Sequence, residues 1–163
     1  MRRKKRQVTD LELIKKFVEK TQVVRIALNG EKFPYVVPVN FGYEWNEEEL
    51  TLFIHGAAEG KKVNMIKNDP HVAVEMDGHH RLIEGTSNAA TYSYAYQSFI
   101  GFGHASFLED LEEKRQALHV LMDHAAKGAS FDEIPEAMLK RTGIIKITLA
   151  SYTMKENIHP DEK

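Results

Sequence analysis

A strand, a turn of small residues and a short helix follow one another within residues 50–70. From Leu50 to Ile54, every second residue is a large aliphatic one, which is the pattern of a strand with one buried face. Residues 56–60 are mainly glycine and alanine, so few side chains cover the backbone there. The helix that follows must end before Pro70, because proline disfavours helical backbone in the residue before it. The segment therefore predicts a strand and a helix joined by an open turn.

The predicted helix begins with two lysines, Lys61 and Lys62. The first turn of a helix has unpaired backbone N–H groups and a partial positive charge, so lysines there add like charge to like. They suit this position if an anion lies in front of them, and glycines such as Gly60 let a ligand approach the backbone. The pattern predicts a phosphate site; the alternative is two solvated lysines after a turn of small residues.

The rest of the chain is typical of antiparallel strands with helices near both ends. A capping box at Thr9–Glu12 predicts the start of the first helix, and Asn29-Gly30 is typical of a hairpin turn. Strands are predicted over 23–28, 34–43, 50–55, 71–77, 81–86, 94–108 and 143–149, and helices over 10–20, 61–69, 110–128 and 130–141. A turn is expected at Gly78, and a loose tail from about residue 152. The order favours a mainly β (α+β) fold, a small antiparallel β-barrel with peripheral helices, over a Rossmann fold.

Two features of the predicted strands concern their neighbours. Pro38 cannot donate to a strand ladder, so its strand must lie at a sheet edge or contain a bulge. A bulge would expose backbone groups to a flat ligand, whereas a plain edge strand would have no such role. Gly101 and Gly103 share one face of the long strand, which indicates a bend at a barrel corner or a close approach of another backbone.

Composition limits the function classes. The 163 residues are expected to form a single domain, residues 1–163. The net charge is −2, although five basic residues fall within positions 2–6. This basic tail (1–7) is either solvated or binds an anionic group, and nucleic-acid binding is not favoured. The chain has no cysteine, which excludes disulfides and thiolate chemistry. No segment is typical of a membrane span or secretory signal, so a cytoplasmic location is expected.

The histidines do not indicate a metal site. There are eight, but His79 and His80 are adjacent, and His119 and His124 are five residues apart, so neither pair shares a face. No metal is therefore expected, and a hydrolase is not favoured because Gly-x-Ser-x-Gly is missing. His55 differs because it ends a strand beside the predicted phosphate turn. It is either a hydrogen-bonded histidine at a strand end or a proton donor facing a cofactor.

Three segments together resemble a known family. Residues 34–43 (PYVVPVNFGY), 52–62 (LFIHGAAEGKK) and 96–103 (YQSFIGFG) are similar to the pyridoxamine-phosphate-oxidase-like flavoproteins, and within them to the nitroimidazole-resistance (Nim) group. The likeness covers about residues 2–155. It implies an FMN-binding split β-barrel that works as a homodimer, with the flavin at the interface.

The resemblance also assigns roles to positions of this chain. Lys61 and Lys62 would contact the FMN phosphate, while His55 and Gly56 would line the ribityl and ring region. The remaining cofactor-binding positions that it implies are Val37, Pro38, Val39, Asn40, Gly60 and Ser98. Ser98 stands where the oxidase branch usually has a glutamine, and its shorter side chain departs from that pattern. His55 is the candidate catalytic residue, placed near the reacting centre.

The implied function is that of an FMN-dependent oxidoreductase similar to a nitroreductase, which passes electrons to a small-molecule acceptor. One alternative is pyridoxamine phosphate oxidation, whose branch binds its substrate phosphate through a basic, tryptophan-containing C-terminal motif. Residues 151–160 contain neither arginine nor tryptophan, which disfavours it. A second alternative is a flavin- or heme-binding protein of the same fold without turnover, since fold alone does not fix function.

Overall fold

A computed structural model describes residues 4–162 of the chain. Within these residues, eight strands and four helices are formed. The strands are β1 (Gln7–Val8), β2 (Val24–Leu28), β3 (Tyr35–Val39), β4 (Gly42–Asn46), β5 (Glu49–Ala57), β6 (His71–Ile83), β7 (Ser93–Phe107) and β8 (Thr142–Asn157). The helices are α1 (Leu11–Lys20), α2 (Lys61–Asn68), α3 (Leu111–Ala125) and α4 (Glu136–Arg141).

Every pair of neighbouring strands is antiparallel. The strands lie in the order β3-β2-β6-β7-β8-β5-β4, and β1 pairs with β8 near its C-terminal end. β3 and β4 are consecutive in sequence but lie at opposite ends of this order. Over residues 4–162 no ladder joins them, so the sheet curls round a core without closing. This confirms the antiparallel barrel that the element order favoured, in the split form that the resemblance implied.

The main core lies inside the curled sheet. Alternate residues of the strands fill it, including Leu52 and Ile54 of β5 and Phe99 of β7. A smaller apolar cluster lies on the outer face of β5 and β8, where Phe53 packs under α3. Because successive residues of a strand point to opposite faces, β5 is covered on both sides.

The central prediction of a strand followed by a helix is confirmed. β5 leads through a short turn into α2, which begins at Lys61 and ends before Pro70. Val63 and Ile66 are the buried residues of α2, three residues apart on one face as their spacing indicated.

The hairpin predicted at Asn29-Gly30 is confirmed, because β2 pairs antiparallel with β3 and Leu28 lies opposite Tyr35. Its loop spans residues 29–34, and the Asn29 amide donates to Asp69. Other local predictions are wrong because long-range pairing overrides them. The single strand expected over 34–43 is two, β3 and β4, separated at residues 40–41. Pro38 lies in an edge strand in regular register with Arg25, so the edge alternative holds and there is no bulge in that pairing.

The turn expected at Gly78 and the loose tail expected from residue 152 are also wrong. β6 runs through Gly78 with a register shift against β7 between Gly78 and Arg81, because an extra residue in a bulge lets the strand continue. β8 continues to Asn157 because β7 is long enough to pair with it there, and Met154 is fully buried.

Three helix boundaries differ from the sequence prediction. Asp10, not Thr9, caps α1: its carboxylate accepts from the backbone N–H groups of Glu12 and Leu13, and a carboxylate also suits the positive helix end. α3 ends at Ala125, and α4 begins at Glu136.

Only part of the basic N-terminal tail is described. Arg2 and Arg3 lie outside the described residues, and Lys4–Arg6 forms one 3-10 turn. The Arg6 guanidinium donates to the hydroxyl of Tyr96 at 3.3 Å, so this part of the tail contacts β7. None of the helices within residues 4–162 is long and apolar enough to cross a membrane.

Candidate functional site

The start of α2 forms an open cationic turn. Gly60 precedes the helix with a φ of 124°, a region that favours glycine over any residue with a side chain. No side chain caps this end, although the Gly60 carbonyl accepts from the Asn64 N–H at 3.0 Å. The first N–H groups of α2 are therefore available to an anion.

Lys62 brings its ammonium group back over the end of β5. The side chain is half-buried, and Nζ lies 3.8 Å from the position that a Cβ on Gly56 would occupy. Burial lowers the pKa of Lys62, because removing the ammonium from water disfavours its charged form. No carboxylate within residues 4–162 pairs with it. The protein thus holds a partly desolvated cation whose charge is left uncompensated.

Lys61 connects α2 to the edge of the sheet. Its Nζ lies 4.4 Å from the centroid of the Tyr35 ring, a cation–π distance. Because Tyr35 begins β3, a strand at one end of the sheet order, this contact joins the start of α2 to that edge strand. Lys61 itself is exposed, so its ammonium can still reach a ligand.

His55 is exposed near the end of β5, opposite Ile144 of β8. Ile54 points into the main core, so His55 points to the outer face of the sheet, and Gly56 to the inner face. In the part of the chain that the structure describes, no group hydrogen-bonds the His55 ring, so the hydrogen-bonded alternative is not what the structure shows. A ligand that contacts both His55 and Lys62 must be extended and pass over the bare turn.

The β3 residues divide between two faces. Val37 and Val39 pack against the main core, which leaves only their backbone for a ligand. Pro38 and Asn40 are exposed, and the Asn40 amide donates to the Gln22 carbonyl at 3.0 Å. An edge strand presents unpaired backbone groups along its free side, so β3 can offer main-chain contacts.

Ser98 is not brought to these residues within one chain. It pairs with Asp77 on one side and Lys155 of β8 on the other. His55 pairs with Ile144 of the same strand, so eleven residues of β8 separate the two positions. At about 3.3 Å per residue of extended strand, the partners of Ser98 and His55 are roughly 36 Å apart along β8.

Comparison with known proteins identifies the family. The profile of the family described as pyridoxamine 5'-phosphate oxidase matches residues 10–156. The chain belongs to the pyridoxamine 5'-phosphate oxidase family. No curated protein matches the chain.

Solved structures similar to this member of the pyridoxamine 5'-phosphate oxidase family include proteins that bind flavin. A candidate 5-nitroimidazole antibiotic resistance protein from Bacteroides thetaiotaomicron is 28% identical with a TM-score of 0.78, over 92% of this chain and 86% of that one. An FAD and heme binding protein from Mycobacterium smegmatis is 20% identical with a TM-score of 0.83, over 97% and 77%. A flavocytochrome from Azotobacter vinelandii is 17% identical with a TM-score of 0.82, over 98% and 73%. At 20% and 17% identity, the last two similarities show a shared fold and nothing about function.

Two residues near the site of this family member were missed by sequence reasoning. Tyr35 lay inside the segment that carried the resemblance, but its contact with Lys61 depends on how the sheet ends meet. Lys114 of α3 is only 8% exposed, and its Nζ donates to the Thr142 carbonyl at 3.2 Å. Thr142 pairs with Ala57, so this ammonium lies at the end of β5 on the α3 side. The sequence could have indicated that Lys114 is buried, because it shares a helical face with the buried Ala117.

Proposed function

We propose that this chain binds FMN at the end of β5 and the start of α2, and works as an FMN-dependent oxidoreductase. The observation that carries the proposal is Lys62, a half-buried ammonium without a described carboxylate partner, beside an uncapped helix start. A phosphate monoester supplies the missing negative charge and accepts from both lysines and the free N–H groups. The donor set therefore fits the phosphate of a flavin mononucleotide.

Each residue has a stated role in this proposal. Lys61 and Lys62 hold the phosphate, and the bare backbone from Gly56 to Gly60 lets the ribityl chain pass. The edge of β3 around Pro38 offers main-chain groups to the ring edge. His55 supplies a ring proton that it can donate, close to where the acceptor binds.

We propose that the acceptor is a small nitro compound, reduced toward the amine. The flavin, when bound, supplies electrons in pairs. Each electron pair is taken up together with two protons. Three pairs and six protons convert the nitro group into an amine and two water molecules, and an external hydride donor must reduce the flavin again before each further pair. His55 donates such a proton and is reprotonated from solvent, which its exposed position allows. The likeness to the Bacteroides thetaiotaomicron protein supports this substrate class.

We further propose that two copies of the chain form the working unit. Ser98 can reach the flavin only from a second copy, because β8 keeps it far from His55 within one chain. The face of β7 that would meet that copy carries Ile100 and Phe102, which are 41% and 56% exposed. Apolar side chains of this size are typical of surfaces that another chain covers.

Anaerobic rapid mixing tests the enzymatic part of the proposal. The flavin of the loaded protein is first reduced chemically, and its reoxidation by a 5-nitroimidazole is followed by absorbance. The wild-type protein should reoxidise faster than free reduced FMN, and His55→Gln should slow this step at least about tenfold while retaining the flavin. If reoxidation is no faster than in free solution, the chain is a flavin carrier. A heme spectrum would instead favour a heme-binding protein of this fold.

A further inference from the structure

Two histidines face each other on the outer surface, away from Lys62 and His55. His71 begins β6 and is directly opposite His104 of β7 in the antiparallel ladder. Residues paired in this way project from the same face of a sheet. The two imidazole rings lie with centroids 4.6 Å apart and planes tilted by 57°, and both residues are exposed.

A carboxylate fixes the orientation of one ring. Nδ1 of His71 lies 2.7 Å from Oδ1 of Asp69, and the Asn29 amide donates to the other oxygen at 2.8 Å. The backbone N–H of His71 also donates to Oδ1 of Asp69, at 3.0 Å. A carboxylate that receives hydrogen bonds on both oxygens acts as the acceptor, so Nδ1 of His71 carries the proton and Nε2 holds the lone pair.

A purely structural role explains only part of this arrangement. Asp69 ends α2 and accepts the backbone N–H of His71 at 3.0 Å, so it would shape the turn at Pro70 without any imidazole. It does not explain why a second exposed histidine lies directly across the ladder. A carboxylate on the far nitrogen of a histidine is the usual support of a metal-ligating imidazole.

We infer that His71 and His104 form a two-imidazole site for a divalent first-row transition metal, with Asp69 positioning His71. Imidazole nitrogens suit copper, nickel and zinc, and the order of affinity for divalent ions places copper highest. Both rings are exposed within one chain, so water completes the coordination there. His104 shares a face of β7 with Ile100 and Phe102, so the second copy proposed above must leave this end of the face uncovered. The site is independent of flavin binding, because neither histidine belongs to the turn that holds Lys62.

Calorimetric titration of the full chain, prepared without a histidine tag, tests the site. Copper(II) should bind at pH 7.5 with one saturable site per chain. His71→Asn and His104→Asn should each weaken this binding at least about tenfold, and Asp69→Asn by about 10–100-fold.

The matched control is the double variant His79→Asn, His80→Asn, which removes the other exposed histidine pair. Asparagine tolerates the positive φ of 56° at residue 79, and binding should stay at the wild-type level. As a second measurement, imidazole nitrogen resonances of the wild-type protein should shift on zinc addition only for His71 and His104. Equal copper binding by His71→Asn and wild type, or zinc shifts at other histidines alone, would overturn the inference.

Discussion

Replacing Lys62 by methionine should weaken flavin binding while leaving the empty protein as stable or more stable. Methionine keeps the apolar stem and removes the ammonium. Burial lowers the pKa of Lys62, which means that the folded chain holds this charge at a cost. Removing a half-buried charge should stabilise the flavin-free fold by about 0.5–1 kcal/mol. The gain is smaller than for a fully buried charge because half of the side chain remains solvated.

The affinity should change in the opposite direction. A hydrogen bond to a charged group contributes about 1.5–3 kcal/mol, so losing the Lys62–phosphate contact should raise the FMN dissociation constant about 10–100-fold. Quenching of FMN fluorescence measures the affinity, and urea unfolding of the flavin-free protein measures the stability. The stability gap between variant and wild type should narrow as pH rises into the lysine range. There the wild-type lysine loses its proton in the folded state first, and with it the cost of the buried charge.

Lys67→Met is the matched control, because Lys67 lies in the last turn of the same helix. A lysine there favours the negative helix end, so this variant should be slightly destabilised and bind FMN normally. The reasoning is refuted if Lys62→Met binds FMN as the wild type does, or if Lys67→Met loses FMN to the same extent.

Two further predictions concern the fold. Gly103→Ala would place a Cβ 2.2 Å from the Thr148 carbonyl oxygen. This clash should lower the free energy of unfolding by about 2 kcal/mol and the Tm by about 4–8 °C. The control Ser106→Ala, at an exposed position of the same strand, should leave the Tm unchanged. His124 contacts the Phe41 and Glu19 carbonyls at 2.7 and 3.1 Å, so His124→Leu should reduce the free energy of unfolding by about 2–4 kcal/mol. A thermal melt or urea titration in which either variant matches the wild type would contradict the structure at that position.

The sequence predicted best where the pattern is local. The alternation that ends at Ile54, the small residues after it and the stop at Pro70 each act within a few residues. β5, α2 and the lysines at the start of α2 could therefore be placed correctly. The long strand β7 was also predictable, because its period-two pattern extends over most of its length.

The predictions that were wrong depend on distant partners. Nothing local shows that the chain from residue 152 continues as a strand; β7 supplies the pairing groups. The bulge near Gly78 likewise replaces a turn because β7 continues alongside β6. The hairpin at Asn29 was predicted, but the contact of the Asn29 amide with Asp69, forty positions away, has no local signal.

The candidate site shows the same division. Lys61 and Lys62 could be found from their place at a helix start. The contact of Lys61 with Tyr35, the buried Lys114 and the distance of Ser98 from His55 follow from how the sheet curls. No spacing along the chain encodes these relations.

Titration of the purified wild-type chain with FMN, followed by fluorescence quenching and by the absorption spectrum, tests the central claim most directly. The account predicts a flavin spectrum that saturates at one FMN per chain, with FMN as the flavin that heat releases. A colourless protein that takes up no added FMN would contradict it, and the lysines at the start of α2 would then be solvated residues of a helix end.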